Sequence, residues 1–96
     1  MILETAFISI KPGQIQDFLA VLPAAKKVLQ QATGFVELKI QVGVERENTV
    51  LLSILWQTLE DHTVNFRGGE LFPQWREIIG PFFDQPPVVE HWEVKA

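Results

Sequence analysis

The order in which hydrophobic periodicities change along the chain constrains its fold more than any other feature. Residues 2–10, 35–44, 49–56 and 88–95 alternate in polarity or stay apolar over the length of a strand. Residues 14–33, and a stretch that begins near Thr58, instead repeat apolar side chains at three- and four-residue steps. A period of two is typical of strands and a period of 3.6 of helices. The pattern therefore predicts the order β-α-β-β-α-β.

That order predicts an α+β fold of the ferredoxin-like type, with a four-stranded antiparallel sheet and two helices on one face. The 96 residues contain no repeat or linker, so we expect residues 1–96 to form a single domain. The other sheet face would expose apolar side chains such as Leu3, Phe7, Leu51 and Leu55, or else their neighbours on the opposite face. Two such faces packed together would bury them, which predicts a homodimer built as a closed or nearly closed α+β barrel.

Local signals refine the two helices. Pro23 lies within the first helical pattern and predicts a kink or a split, because proline removes a backbone hydrogen bond and clashes with the preceding turn. Gly34 is the expected C-cap of that helix. Thr58 and Asp61 have the spacing of a capping box at the start of the second helix. The glycines at 68–69 predict that this helix consists of two segments.

Composition limits the partners and the chemistry. The formal net charge is −4, and the eight basic residues are scattered, which argues against nucleic acid or an anionic membrane as a partner. The chain has no cysteine and therefore no thiol nucleophile or cysteine-bound metal. Its longest apolar run, at residues 50–56, is too short to cross a bilayer, and the first residues lack the basic region of a signal peptide. We therefore expect a cytoplasmic protein.

Several short motifs stand at characteristic points of this layout. They are Lys11-Pro12-Gly13, Thr33-Gly34-Phe35, Trp56, Leu59-Glu60-Asp61-His62, Phe66-Arg67, Phe72 with Trp75, and Pro87-Val88-Val89-Glu90-His91-Trp92. With them the chain resembles, over nearly its whole length, the antibiotic biosynthesis monooxygenase domain family of dimeric α+β barrels. The resemblance is closest to small bacterial single-domain members, for which it implies no settled substrate.

The resemblance implies two kinds of chemistry within the family, which are cofactor-independent oxidation of anthrones or quinols to quinones and degradation of haem. The haem-degrading branch uses an Asn on the first strand and a Trp and a His on the second helix. Ala6, Asn65 and Trp75 stand at those positions here, so the haem-degrading set is absent. Quinol-type members often carry a histidine about where Asn65 stands, whereas this chain has His62. No cofactor is implied.

A cofactor-free oxygenase needs a base, an apolar slot for the substrate anion and access for oxygen. Histidine suits the base because its ordinary pKa lies near working pH. His62 is one helical step before Phe66, so both can face the same side, and His62 is the candidate catalytic residue. The alternative is a partly exposed helix residue bonded to backbone or to a neighbouring carboxylate.

Five residues are candidates for binding the substrate, namely Asn65, Phe66, Arg67, Trp75 and His91. Aromatic rings can hold a planar compound, and Arg67 or Asn65 can stabilise a developing oxyanion. Each has an ordinary alternative, since Arg67 can cap the helix end, His91 can be a sheet histidine and the rings can be core. Two histidines without metal-ligand spacing predict no metal site.

Three functions remain open. The first is a small dimeric oxygenase-like enzyme acting on an apolar aromatic or quinol-type compound with His62 as the base. The second is a non-catalytic or stress-associated dimer that binds a small apolar molecule or nothing. The third is an isomerase or lactone-handling enzyme that uses the same base without oxygen, because a fold does not determine a reaction.

Overall fold

A four-stranded antiparallel sheet, covered on one face by helices, forms the fold in the computed structural model, which describes residues 1–96. The strands are β1 (Ile2–Ser9), β2 (Phe35–Val42), β3 (Thr49–Trp56) and β4 (Val88–Glu93). The helices are α1 (Ile15–Leu29) and α2 (Leu71–Ile79), with a π-helical stretch at Asp61–Phe66, here called the π segment, and a 3₁₀ turn at Gly80–Phe82. The sheet order is β2-β3-β1-β4. The predicted ferredoxin-like βαββαβ architecture is confirmed.

The core lies between the helices and one face of the two central strands. The register pairs Ala6 with Leu52 and Ile8 with Val50, so β1 and β3 present their even-numbered side chains to the helices. Phe18 of α1 is fully buried against this surface. Alternation along a strand thus separates a helix-covered face from an open one.

The open face carries one of the two sets of apolar side chains that the sequence left as alternatives. Leu3, Phe7, Leu51 and Leu55 are half-buried, although no helix covers them. Trp92 of the edge strand is 51% exposed and pairs with Leu3. This face is therefore a broad apolar surface that no other part of the same chain covers.

The first helix is not split at Pro23, and it ends earlier than predicted. It is a single helix that contains Pro23, not two pieces, because Leu22 and Ala25 on either side of the proline are buried against the sheet. It also ends at Leu29, so Gly34 is not its C-cap. Gly34 instead adopts a φ of +82° just before β2.

The second helical region is divided at the glycines, as predicted. The π segment comes before residues 68–69 and α2 comes after them. The capping box is also confirmed, since the Thr58 backbone N–H donates to Asp61 Oδ2 at 3.2 Å and the Asp61 N–H donates to Thr58 Oγ1 at 3.2 Å. The π-helical geometry was not predicted, because the sequence of this segment is equally compatible with an α-helix.

No helix in the structure is both long enough and apolar enough to cross a membrane.

Candidate active site

A buried carboxylate lies on the helix-covered face of the sheet. Glu4 of β1 is only 5% exposed, and the Trp56 Nε1–H donates to its Oε1 at 2.9 Å. Burial raises the pKa of Glu4 to about 7, although the Trp56 hydrogen bond and the positive charge of Arg67 partly offset this effect. Glu4 can therefore gain or lose a proton close to neutral pH.

His62 of the π segment contacts this carboxylate. Its Nε2 lies 3.3 Å from Glu4 Oε1, and its ring stacks on Trp56 with centroids 5.4 Å apart and an interplanar angle of 24°. Burial, together with positive charge on His91 and Arg67, lowers the pKa of His62 to about 4. At neutral pH the imidazole is uncharged, so one ring nitrogen donates and the other accepts.

A second histidine completes the cluster. His91 of β4 is the register partner of Glu4 on β1, which places the two side by side on the helix-covered face. Its Nε2 lies 2.8 Å from Nδ1 of His62. His91 is exposed, and partial burial together with the Arg67 charge lowers its pKa. The cluster thus extends from a buried carboxylate to an exposed imidazole.

The local fold of the π segment positions His62. The capping box anchors its first residue, and the Arg67 N–H donates to the His62 carbonyl at 3.0 Å, the five-residue step of a π-helix. Gly34 packs so closely on this turn that a Cβ there would collide with the Asp61 carboxylate. His62 is therefore held by packing on both sides of the turn.

An open pocket of about 250 Å³ adjoins the cluster. Glu4 and His62 lie in its wall, and Arg67 and Arg76 also line it. The rest of the lining is mainly apolar, including Ala6, Ile8, Leu52, Phe72, Trp75 and Ile79. The volume lies slightly below the range for small-molecule pockets, which starts at about 300 Å³. A compound with one to a few rings would therefore bring an apolar body against an acid–base pair.

Four of the predicted site residues line this pocket. They are His62, Phe66, Arg67 and Trp75. Phe66 and Trp75 are also core residues, with 4% and 6% exposure, and their rings meet edge to face at 6.2 Å. Arg67 forms no ion pair and lies over the Phe72 ring at 5.7 Å. The aromatic residues thus serve the core and the pocket wall together.

The other two predicted residues lie elsewhere. Asn65 is exposed, donates to Asp61 Oδ1 at 3.3 Å, and lines a separate cavity of about 230 Å³ with Gly69 and Glu70. His91 is not part of the pocket lining and reaches the site through His62. The structure therefore brings His91 into the cluster and leaves Asn65 outside the pocket.

Glu4 is the main residue that the sequence reasoning missed. The sequence feature that could have identified Glu4 is its position on the same strand face as the apolar residues Ala6, Ile8 and Ile10. An ionisable side chain on the buried face of a central strand is rare and needs a partner. Arg76 was missed too, and it carries no comparable signal because it lies on the exposed part of α2.

The arrangement is suited to general acid–base chemistry. A carboxyl group and a neutral imidazole share a contact at the wall of an apolar pocket, and Arg67 provides a positive charge for an anion formed there. The side chains do not form a group of three or more His, Cys, Asp or Glu residues that could hold a metal ion.

Comparison with known proteins places the chain among close relatives. A family model described as antibiotic biosynthesis monooxygenase matches residues 1–78. The uncharacterised protein YczJ of Bacillus subtilis is 31% identical over 93 residues, which cover 97% of this chain and 98% of YczJ. A crystal structure from Bordetella bronchiseptica, assigned by name to the antibiotic biosynthesis monooxygenases, has a TM-score of 0.94 and 30% identity, covering 99% of this chain and 97% of that one.

More distant structures share the fold. The monooxygenase ActVA-Orf6 of Streptomyces coelicolor, in complex with the ligand nanaomycin D, has a TM-score of 0.81 at 13% identity, covering 99% of this chain and 88% of that one. SnoaB of Streptomyces nogalater, a cofactor-independent oxygenase, has a TM-score of 0.80 at 9% identity, covering 99% and 93%.

Proposed function

The chain belongs to the antibiotic biosynthesis monooxygenase family, and we propose that it is a cofactor-independent monooxygenase acting on a small aromatic or quinol-type compound. The observation that carries this proposal is the contact between Glu4 and His62 at the wall of a largely apolar pocket. It supplies a base where a substrate would lie. ActVA-Orf6, a monooxygenase, and SnoaB, a cofactor-independent oxygenase, support the reaction type because both share this fold.

The proposed reaction begins with removal of a proton from an acidic C–H or phenolic O–H group. The resulting electron-rich anion reduces molecular oxygen directly and then bonds to it, giving a peroxide. For an anthrone, loss of water from that peroxide converts CH₂ and O₂ into C=O and H₂O. The protein supplies the base and holds the anion, which are contributions that side chains alone can make.

Named residues have distinct roles in the proposal. Glu4 and His62 together provide the base, in which Glu4 takes the substrate proton and His62 passes it on, and the rings of Phe66 and Trp75 contact the substrate. Arg67 has no carboxylate partner and stabilises the substrate anion. Asn65, which lies outside the pocket, acts indirectly through its hydrogen bond to Asp61.

The test is oxygen uptake with an anthrone and with a naphthoquinol as probes. We expect uptake by the protein and a loss of about 100-fold or more in His62→Ala, the range for removal of a general base. Val64→Ala is the matched control, because Val64 is in the same π segment but 61% exposed. Unchanged uptake in His62→Ala would remove His62 from the mechanism. Binding of both probes without oxygen uptake would favour the ligand-binding function.

The proposal includes a homodimer through the open sheet face. Phe7, Leu51 and Leu55 are half-buried without a covering helix, and Trp92 is 51% exposed beside them. A second copy of the same face would cover these side chains, and the two sheets would then form a dimeric α+β barrel. Glu4, His62 and His91 lie on the opposite face, so this interface leaves their cluster accessible.

A further inference from the structure

We infer that Glu4, His62 and His91 form a proton relay between the pocket and solvent. The relay depends on the proposed function in one respect, since that function makes the substrate the source of the proton. Two contacts connect it, Glu4 Oε1 to His62 Nε2 at 3.3 Å and His62 Nδ1 to His91 Nε2 at 2.8 Å. Its inner end lines the pocket and its outer end is exposed. The chain of contacts therefore crosses the buried layer without a gap.

The topology explains how three distant residues meet. Glu4 and His91 are register partners on adjacent antiparallel strands and share one face of the sheet. The π segment lies over that face and places both nitrogens of His62 between them. The buried Trp56 ring stacks on the imidazole and donates its own N–H to Glu4. Each contact is thus set by a different element.

Other charged groups near the cluster do not interrupt the relay. Asp61 accepts hydrogen bonds from the Thr58 N–H and from Asn65, so it is engaged away from His62. Arg67 and Arg76 line the pocket and lie over the Phe72 ring. Neither arginine can accept a proton. Glu4 and the two histidines are therefore the groups that can exchange one.

The hydrogen bonds admit two arrangements that differ by the position of protons. With Glu4 protonated, its O–H donates to His62 Nε2, the His62 Nδ1–H donates to His91 Nε2, and His91 carries a proton on Nδ1. With Glu4 ionised, His62 Nε2–H donates to Glu4, and His91 Nε2–H donates to His62 Nδ1. Conversion of the first into the second moves one proton across each contact and releases one from His91 Nδ1 to water. The first arrangement is restored when Glu4 takes the next proton from the substrate and the two imidazoles change back to their first tautomers.

Every member of a relay must both donate and accept a proton, whereas a purely structural hydrogen bond needs only one of these roles. Imidazole can do both at separate nitrogens, and a side-chain amide cannot pass a proton on. The raised pKa of Glu4 and the lowered pKa values of the two histidines support the relay, because all three groups can be uncharged below about pH 7. A proton can then move without leaving a buried ion pair.

The first test needs no substrate. Long-range ¹H–¹⁵N NMR reports which nitrogen of each imidazole is protonated. We expect both rings to change tautomer together at one pH midpoint near 7, and we expect Glu4→Gln to abolish that change. Rings that keep one tautomer through this range, or that change in the same way in Glu4→Gln, would overturn the relay whether or not the protein is an oxygenase.

The second test uses His91, whose exposed position makes misfolding of a variant a small concern. In His91→Gln we expect oxygen uptake with anthrone to fall roughly tenfold, with added imidazole restoring it in a concentration-dependent way. Wild-type uptake that does not respond to imidazole is the control. Full uptake in His91→Gln, or a loss that imidazole leaves unchanged, would contradict the role of His91. Absence of uptake in the wild type would instead count against the proposed function, while the NMR result still decides the relay.

Discussion

Nε2 of His62 lies 3.3 Å from Oε1 of Glu4, and the two side chains are only 4% and 7% exposed. Burial disfavours the charged form of each group, so it raises the pKa of the acid to about 7 and lowers that of the imidazole to about 4. Two neighbouring groups whose pKa values move in these opposite directions can share a proton without a net charge. The pair is therefore a chemical unit as well as a packing contact.

Stability should depend on pH through Glu4. Its folded pKa lies above its unfolded value, so its contribution is present below pH 4.5 and is lost as pH rises to about 7, a change of roughly 3 kcal/mol. The contribution of His62 has the opposite sign, since it is present above pH 6.5 and is lost as pH falls toward 4. We expect the two to offset each other in the wild type. Urea unfolding of Glu4→Gln should show stability rising between pH 4 and 6.5.

Glu37→Gln is the matched control for that experiment, because Glu37 is exposed on β2 and carries the same charge. Its stability should follow the wild-type pH dependence. A Glu4→Gln curve that parallels the wild type would mean that the Glu4 carboxyl is not perturbed in the folded state.

Gly34 should tolerate substitution much less well than Gly13. Both have a φ near +80°, which costs an alanine about 1–2 kcal/mol. A Cβ at Gly13 meets open space, whereas at Gly34 it meets the Asp61 carboxylate. We expect Gly34→Ala to lose about 1–3 kcal/mol more than Gly13→Ala in the free energy of unfolding. Equal losses in urea denaturation would show that the π turn does not depend on this close contact.

Arg67 should tune the whole cluster. Its positive charge lowers the pKa of Glu4, His62 and His91, so Arg67→Gln should raise all three. The midpoints of the histidine NMR signals should move to higher pH. Arg46→Gln removes the same charge but lies over Phe7 on the open face, and it should leave those midpoints in place. Equal movement in both variants would indicate a general effect of net charge.

The open sheet face should determine the oligomeric state. Light scattering at micromolar concentration should give the mass of two chains for the wild type and of one chain for Leu51→Glu, because a carboxylate there would be buried against apolar groups. Val64→Glu places the same charge on an exposed position of the π segment and should remain dimeric. A wild-type mass of one chain would refute the dimer.

Much of the fold was predictable because it depends on short-range periodicity. The apolar run in β3 and the helical stripe in α1 each specify an element without reference to the rest of the chain, and the stripe also specifies the buried face of its helix. Thr58 and Asp61 likewise formed the capping box that their spacing predicts. The split that Pro23 allowed does not occur, because burial of its neighbours, a tertiary effect, outweighs a local penalty.

The sequence by itself determined the family, the sheet with its helices and a candidate base at His62. Only the tertiary structure decided that His62 contacts Glu4 and His91, because the β1–β4 register and the π turn bring together residues 29 to 87 positions apart. No periodicity encodes that register, since it depends on long-range strand pairing. Burial then changes the chemistry of these groups, and burial of a particular carboxylate is a property of the packed molecule, not of its local sequence.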